Sequence, residues 1–146
     1  SLAVQRCTAH KLRNLEAKAP VRLREELAED YRRMIYAETR ALVDQARARF
    51  TKKWRLRCPA VVECLQEAGD DLFTFLSFPK AQWKALRTTN ALERINGEFR
   101  RRTKTQASLP SQDAVLLLLF GLLRSGQVKM RKIDGCHEME RTKQAA

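Results

Sequence analysis

From Val21 to Arg55 the chain contains neither proline nor glycine, and this uninterrupted stretch limits the fold more than any other feature. Leu27, Tyr31, Met34/Ile35, Leu42, Ala46, Phe50 and Trp54 recur along it at spacings near three, four and seven. That is the period at which one face of a helix returns to a core. The stripe breaks at Glu38, which leaves room for two helices in place of one. Five glycines and four prolines in 146 residues supply little turn chemistry for a many-stranded sheet. The expected fold class is all-α, a helical bundle, with residues 1–146 forming one helical domain large enough to bury a core.

The flanking segments extend this reading. Leu2, Ala3 and Val4 are too few to define a strand, though they could end one. Thr8 or the residues just after it could open a short helix to Ala17, closed by Ala19-Pro20 because a residue before proline avoids helical geometry. Pro59 suits the first turn of another helix, where its missing N–H costs nothing. Val61, Val62 and Leu65 give that helix its apolar side. Leu72, Phe73, Phe75, Leu76 and Phe78 read as a core cluster, with Trp83 and Leu86 beside it. Thr88/Thr89 cap a helix running to Thr103. Pro110 and Ser111 open the most apolar helix, Ala114–Leu123, whose continuous leucines suit a surface covered on several sides. The last ten residues read as frayed.

Twenty-nine Lys and Arg against 17 Asp and Glu leave a formal charge of +12. Such a balance attracts polyanions, nucleic acid first and an anionic membrane surface second. The apolar run Ala114–Leu123 is roughly half the length that spans a bilayer, so no membrane partner is expected. Four cysteines (Cys7, Cys58, Cys64, Cys136) without a cleavable signal pattern point to free thiols and a cytoplasmic setting. The abrupt start at Gln5-Arg6-Cys7 suggests an excised piece or a gene remnant.

Chemistry concentrates between Leu86 and Lys104. At 100° per residue Leu92, Ile95 and Phe99 share an arc expected to face a core. Glu93 points away from them, among Thr89, Asn90, Asn96, Gly97, Arg100 and Lys104. One reading is a surface carboxylate paired with nearby arginines. The other is a ligand for Mg²⁺, a hard cation that favours carboxylate oxygens. Two such ions about 4 Å apart drive phosphoryl transfer, and one glutamate does not hold both. Asp70 and Asp71 read as a solvated break rather than as further ligands. Arg94, Arg100, Arg101, Arg102 and Lys104 could grip phosphates or form a solvated basic face. Cys7 and His10 share a helix face and could join Cys136-His137 on zinc, though 126 residues separate the pairs and adjacent side chains diverge.

The run Arg87-Thr-Thr-Asn-Ala-Leu-Glu-Arg-Ile-Asn, continuing to Arg100-Arg-Arg-Thr, resembles the signature of the Mutator-type transposases of bacterial insertion sequences. Val4-Gln-Arg-Cys-Thr-Ala-His-Lys-Leu-Arg-Asn14 is similar to that family's Cys-x-x-His segment, and Lys129-Met-Arg-Lys-Ile-Asp-Gly135 to its usual close. The resemblance implies that Glu93 is the last member of an Asp-Asp-Glu triad on a ribonuclease-H-like fold. It divides the chain into the Cys-x-x-His segment (1–20), a helical insertion (21–86), the catalytic-glutamate and leucine-rich helices (87–126) and a basic tail (127–146). It implies DNA as partner, both transposon ends and target, through His10, Lys11, Arg13, Arg87, Asn90, Arg94, Arg100, Arg101, Arg102 and Lys104. It also implies Mg²⁺ or Mn²⁺ in the complete parent enzyme and a bacterial cytoplasmic, nucleoid-associated setting.

This chain departs from the family pattern by lacking both aspartates. It is therefore expected to bind no metal and to be inactive alone, at most binding DNA, with a homodimer through the leucine-rich helix as a candidate assembly. Thr8-Ala9, Val128 and Cys136 replace aromatic residues usual in the family. The alternative is a helical DNA-binding or protein-interaction module with no catalytic role.

Overall fold

A computed structural model of the chain describes residues 3–104, 108, 110–129 and 132–138. Among the described residues seven α-helices run in order: α1 (Thr8–Lys18), α2 (Arg24–Ile35), α3 (Arg40–Arg57), α4 (Pro59–Ala68), α5 (Lys80–Leu86), α6 (Asn90–Thr103) and α7 (Gln112–Arg124). Short 3-10 turns occupy Val21–Leu23, Gly69–Leu72 and Thr74–Ser77. Among the described residues there is no strand, and Ala3 and Val4 are irregular. Leu2, most of the final ten residues and part of the tail segment Lys129–Gly135 lie outside the described residues.

The helix ends follow local chemistry. Ala19 is extended before Pro20 and stops α1. Glu25 and Glu26 in the first turn of α2, with Arg32 and Arg33 in its last, complement the helix dipole. The expected break near Glu38 separates α2 from α3, which restarts where Thr39 Oγ1 accepts from the Leu42 amide at 3.3 Å. Pro59 occupies the first turn of α4, and Gly69 takes φ 59° just after its end, a conformation suited to glycine. Ser111 caps α7 through the Ala114 amide.

Helices α1 to α4 pack in a ring: α1 on α2, α2 on α3, α3 on α4, and α4 back on α1. Leu15, Leu27, Tyr31, Met34, Val43, Phe50, Trp54, Val61, Leu65, Leu72 and Phe75 fill the centre. Side chains of this size contribute on the order of 2 kcal/mol each when fully buried. The polar tips inside are answered. Tyr31 Oη donates to the Thr8 carbonyl at 2.9 Å, and Trp54 Nε1 to Asp30 Oδ2 at 3.1 Å.

The bundle corrects one member of the predicted stripe. Leu42 is exposed and Val43 is buried, because the cap at Thr39 resets the helical phase so that residues 43, 50 and 54 align. In α6 and α7 no described residue is buried. Leu92 is 61% exposed, while Ile95 and Phe99 of the same arc are half-buried, so the arc expected to face a core is only partly covered. Leu116, Leu117, Phe120 and Leu123 likewise stand open along α7. No described helix is long and apolar enough to cross a membrane.

Two anchors set α5 and α6 against the bundle. The Thr8 amide and hydroxyl both donate to the Arg87 carbonyl, at 2.8 and 2.9 Å. Phe75 and Trp83 meet edge to face at 5.5 Å between ring centres. This is the packing of Trp83 beside the aromatic cluster that the sequence predicts.

Candidate functional site

Two segments some eighty residues apart in sequence meet at the start of α6. Thr89, the residue before the helix, is placed to cap it but makes no such bond. Its hydroxyl donates instead to Glu93 Oε1 at 2.6 Å, one turn along. From α1, His10 Nε2 reaches the same Glu93 oxygen at 3.5 Å, an ion pair whenever the imidazole is protonated. His10 Nδ1 lies 3.4 Å from Thr89 Oγ1, and Cys7 Sγ lies 3.6 Å from it. Both Glu93 and His10 side chains are about half exposed, so the carboxylate is steadied on one side and open on the other. A Cβ built at Gly97 would touch nothing within 4 Å, which leaves the space one turn beyond Glu93 clear.

The hydroxyl of Thr89 has one proton and three neighbours. That proton is directed to the Glu93 carboxylate and to the Cys7 sulfur, both acceptors, with His10 Nδ1 as the third neighbour. Partial burial pushes the Cys7 thiol up, but hydrogen bonds from the His10 amide and from the Thr89 hydroxyl and amide outweigh it. The net effect lowers the thiol from an ordinary value of 9.0 to about 7.

Beyond His10, the predicted DNA-contacting residues differ in what they already hold. Arg13, Arg94, Arg100 and Lys104 are exposed and carry no ion pair among the described residues, which leaves them open to an external anion. Arg101 and Arg102 are turned onto Glu98, and Arg102 also donates to the Gln127 carbonyl. Their charge is partly spent within the chain. Asn90 is exposed in the first turn of α6, lining a cleft with Tyr36, Arg87, Thr88 and Ile133.

Two of the expected contacts, Lys11 and Arg87, have partners within the chain. Lys11 is only 5% exposed, its ammonium donating to Glu67 Oε2 at 2.6 Å and to the Cys64 carbonyl at 3.0 Å. It closes the α1–α4 interface rather than facing solvent. The Arg87 guanidinium lies over the rings of Tyr36 and Phe75 at 4.7 Å and of Trp83 at 5.5 Å. Its Nε is buried without a partner among the described residues, and burial lowers its pKa. The guanidinium is thus stacked on three rings while the residue stays half-buried beside the cleft that Asn90 lines.

Thr89 is the member of the cluster that no site assignment from sequence includes, and Cys7 figures there only as a zinc ligand. The Thr89–Glu93 spacing of four residues carries a signal for the first; nothing local connects Cys7 to Thr89. Asp70 is taken up by Arg47 at 2.7 Å and Arg40 at 3.5 Å, as a solvated break would be. Among the described residues no three His, Cys, Asp or Glu side chains converge on a cation position. Glu93 contributes one carboxylate, and neither a two-ion site nor the Cys7–His10–Cys136–His137 arrangement is assembled by this chain's described residues.

Comparison with known proteins bears on what this cluster belongs to. The family model described as Transposase, Mutator family, matches residues 1–131. The chain belongs to that family. A transposase for insertion sequence element IS905 from Lactococcus lactis subsp. lactis (strain IL1403) is 33% identical over 119 residues, covering 80% of this chain and 30% of that protein. A transposase for ISRM5 from Rhizobium meliloti (strain 1021) is 32% identical over 123 residues, covering 82% and 30%. One for IS406 from Burkholderia multivorans is 33% identical over 124 residues, covering 84% and 32%. This Mutator-family chain therefore spans about three-tenths of the length of these relatives.

Proposed function

We propose that this chain is the part of a DNA transposase that presents the catalytic glutamate, Glu93, to a metal-dependent site completed by two aspartates elsewhere in a longer protein. The observation that carries the reading is the meeting of Cys7, His10, Thr89 and Glu93. Two separately recognisable motifs converge on one carboxylate oxygen, which is hydrogen-bonded and still open to solvent. Membership of the Mutator family supplies the context. A divalent ion such as Mg²⁺ or Mn²⁺ bound there would activate the attacking oxygen and stabilise the leaving one. Glu93 would be one of its ligands; Thr89 and His10 would hold the carboxylate in position. The ribonuclease-H-like sheet carrying the aspartates belongs to the same proposal.

By itself the chain is then inactive and binds DNA through phosphate contacts from Arg13, Arg94, Arg100 and Lys104. The exposed face of α7 is the surface against which the rest of such a protein, or a second copy of this chain, packs.

A graft tests the proposal. Residues 1–131 replace the matching segment of the Lactococcus lactis transposase, and strand transfer of element-end DNA is measured with Mg²⁺. The graft is expected to be active, with Glu93→Gln reducing the rate on the order of a thousandfold or more. A Glu93→Gln graft as active as the unaltered graft would overturn the assignment. No strand transfer from the unaltered graft, with the fold retained, would count against the chain's place in such an enzyme.

A further inference from the structure

Helix α3 carries seven basic residues and one acid, Asp44. The seven are not treated alike. Arg40 is held by Asp44 and Asp70, Arg47 by Asp70, Lys53 by Glu26 and Asp30, and Arg57 by Glu26. Lys53 and Arg57 also lie over the Trp54 ring, and Arg47 over Phe73. Each of these four is thus neutralised, packed on an aromatic face, or both. Arg49, Lys52 and Arg55 have no acid, carbonyl or ring partner among the described residues, and all three are exposed.

Their placement on the helix is ordered. Val43, Phe50 and Trp54 define the buried side of α3. At 100° per residue Lys52 projects opposite that side, with Arg55 and Arg49 about 60° to either hand. The three rise by three residues each, spanning about 9 Å along the axis. On the N-terminal side of Arg49 the same face carries Ala41, Gln45 and Ala48, and at its other end stands the exposed Leu56. A shallow depression of about 700 Å³ runs along it, lined by Ala48, Thr51, Lys52, Arg55 and Leu56. Asp44 at its edge is already engaged by Arg40 at 3.1 Å. Among the described residues, the outward face therefore carries three uncompensated positive charges and no uncompensated negative one.

We propose that this face of α3 is a second DNA-contacting surface, in which Arg49, Lys52 and Arg55 grip the phosphate backbone of duplex DNA. The inference rests on the DNA-acting reading above and extends it to the bundle, since α3 packs on α2 and α4. Charge complementarity selects the partner. Duplex DNA presents one charge per about 1.7 Å of axis, so three cations spread over about 9 Å find phosphates without matching any base sequence.

The test is fluorescence anisotropy of a 30-base-pair duplex of arbitrary sequence, titrated with the 146-residue chain across a range of salt. Two triple variants are compared: Arg49→Gln/Lys52→Gln/Arg55→Gln on α3, and Arg94→Gln/Arg100→Gln/Lys104→Gln on α6. The α3 variant is expected to lower the slope of log K against log salt by about 2 to 3, close to 0.9 per lost phosphate contact. A charge-keeping set, Arg49→Lys/Lys52→Arg/Arg55→Lys, should retain the slope. It separates loss of charge from loss of fold, which thermal melting by circular dichroism also monitors. An unchanged slope in the folded α3 variant, with the α6 variant weakened, would overturn this inference and leave the proposed function standing. An unchanged slope with altered sedimentation would make the face a protein contact and overturn it equally. Failure of the unaltered chain to bind duplex DNA would overturn its DNA-binding role and this inference together.

Discussion

Replacing Thr89 with valine removes one hydroxyl from the centre of the candidate site while keeping the shape of the side chain. Its effect is measurable on this chain alone, through the reactivity of Cys7. The thiol is held at about 7 rather than 9.0. At pH 7 about half of it is then thiolate, against about one part in a hundred for the ordinary group, a ratio of about 50. A thiolate of lower basicity is a weaker nucleophile, which gives back a factor of about 8 over two units and leaves a net advantage of about sixfold.

Alkylation by iodoacetamide, followed by mass spectrometry that resolves Cys7 from Cys58, Cys64 and Cys136, gives the rate at each pH. The Cys7 profile is expected to rise through an inflection near pH 7. In Thr89→Val the Thr89 and His10 amides remain, so the inflection should move upward without reaching 9. Thr89→Ser should leave it in place. An inflection near 9 in the unaltered chain, or no movement in Thr89→Val, would refute the hydrogen-bonded cluster.

Other perturbations probe the scaffold. Hydrogen bonds from Lys11 and then Arg6 hold the Glu67 carboxyl at about 2 instead of 4.5. A lowered folded-state value means that the ionised carboxylate stabilises the fold above pH 4.5, and that this contribution is lost as pH falls toward 2. Glu67→Gln should therefore melt below the parent at pH 6, with the gap closing by pH 2; a gap independent of pH would refute the pairing. At Gly135, φ is +74° and an added Cβ would lie 2.7 Å from Gln82 Cγ and 2.8 Å from the Ala81 carbonyl carbon. Gly135→Ala should cost about 1 to 3 kcal/mol in urea unfolding, and an unchanged midpoint would refute the close approach of this segment to α5.

Much of the fold was legible because its signals are local. Ala19-Pro20, Thr39, Pro59 and Ser111 act within one turn, and each lies at a helix end. The Leu42-for-Val43 error arose where a period was carried across a break that resets phase. Leu92 is expected to face a core because periodicity reports which face is apolar and not what covers it. At the site, Glu93 was legible from its motif and its polar surroundings. The intramolecular partners of Lys11 and Arg87 were not, since Glu67 and Cys64 lie more than fifty residues from Lys11, while Tyr36 and Phe75 approach Arg87 only through tertiary packing. Cys7 met Thr89 for the same reason: the contact exists only after α1 docks against the end of α5.

The twin bonds from Thr8 to the Arg87 carbonyl have a consequence for chain length. They pin together the two ends of a seventy-eight-residue excursion, whose own core lies within it. Once such a loop is closed, lengthening it is cheap: each doubling adds about 0.6 kcal/mol of closure entropy. Segments could be gained or shed at the end of the bundle remote from Thr8, around Val21–Leu23 beyond the last turn of α1, without shifting His10 relative to Glu93. The geometry of the carboxylate is thereby insulated from growth of the helices that separate its two motifs.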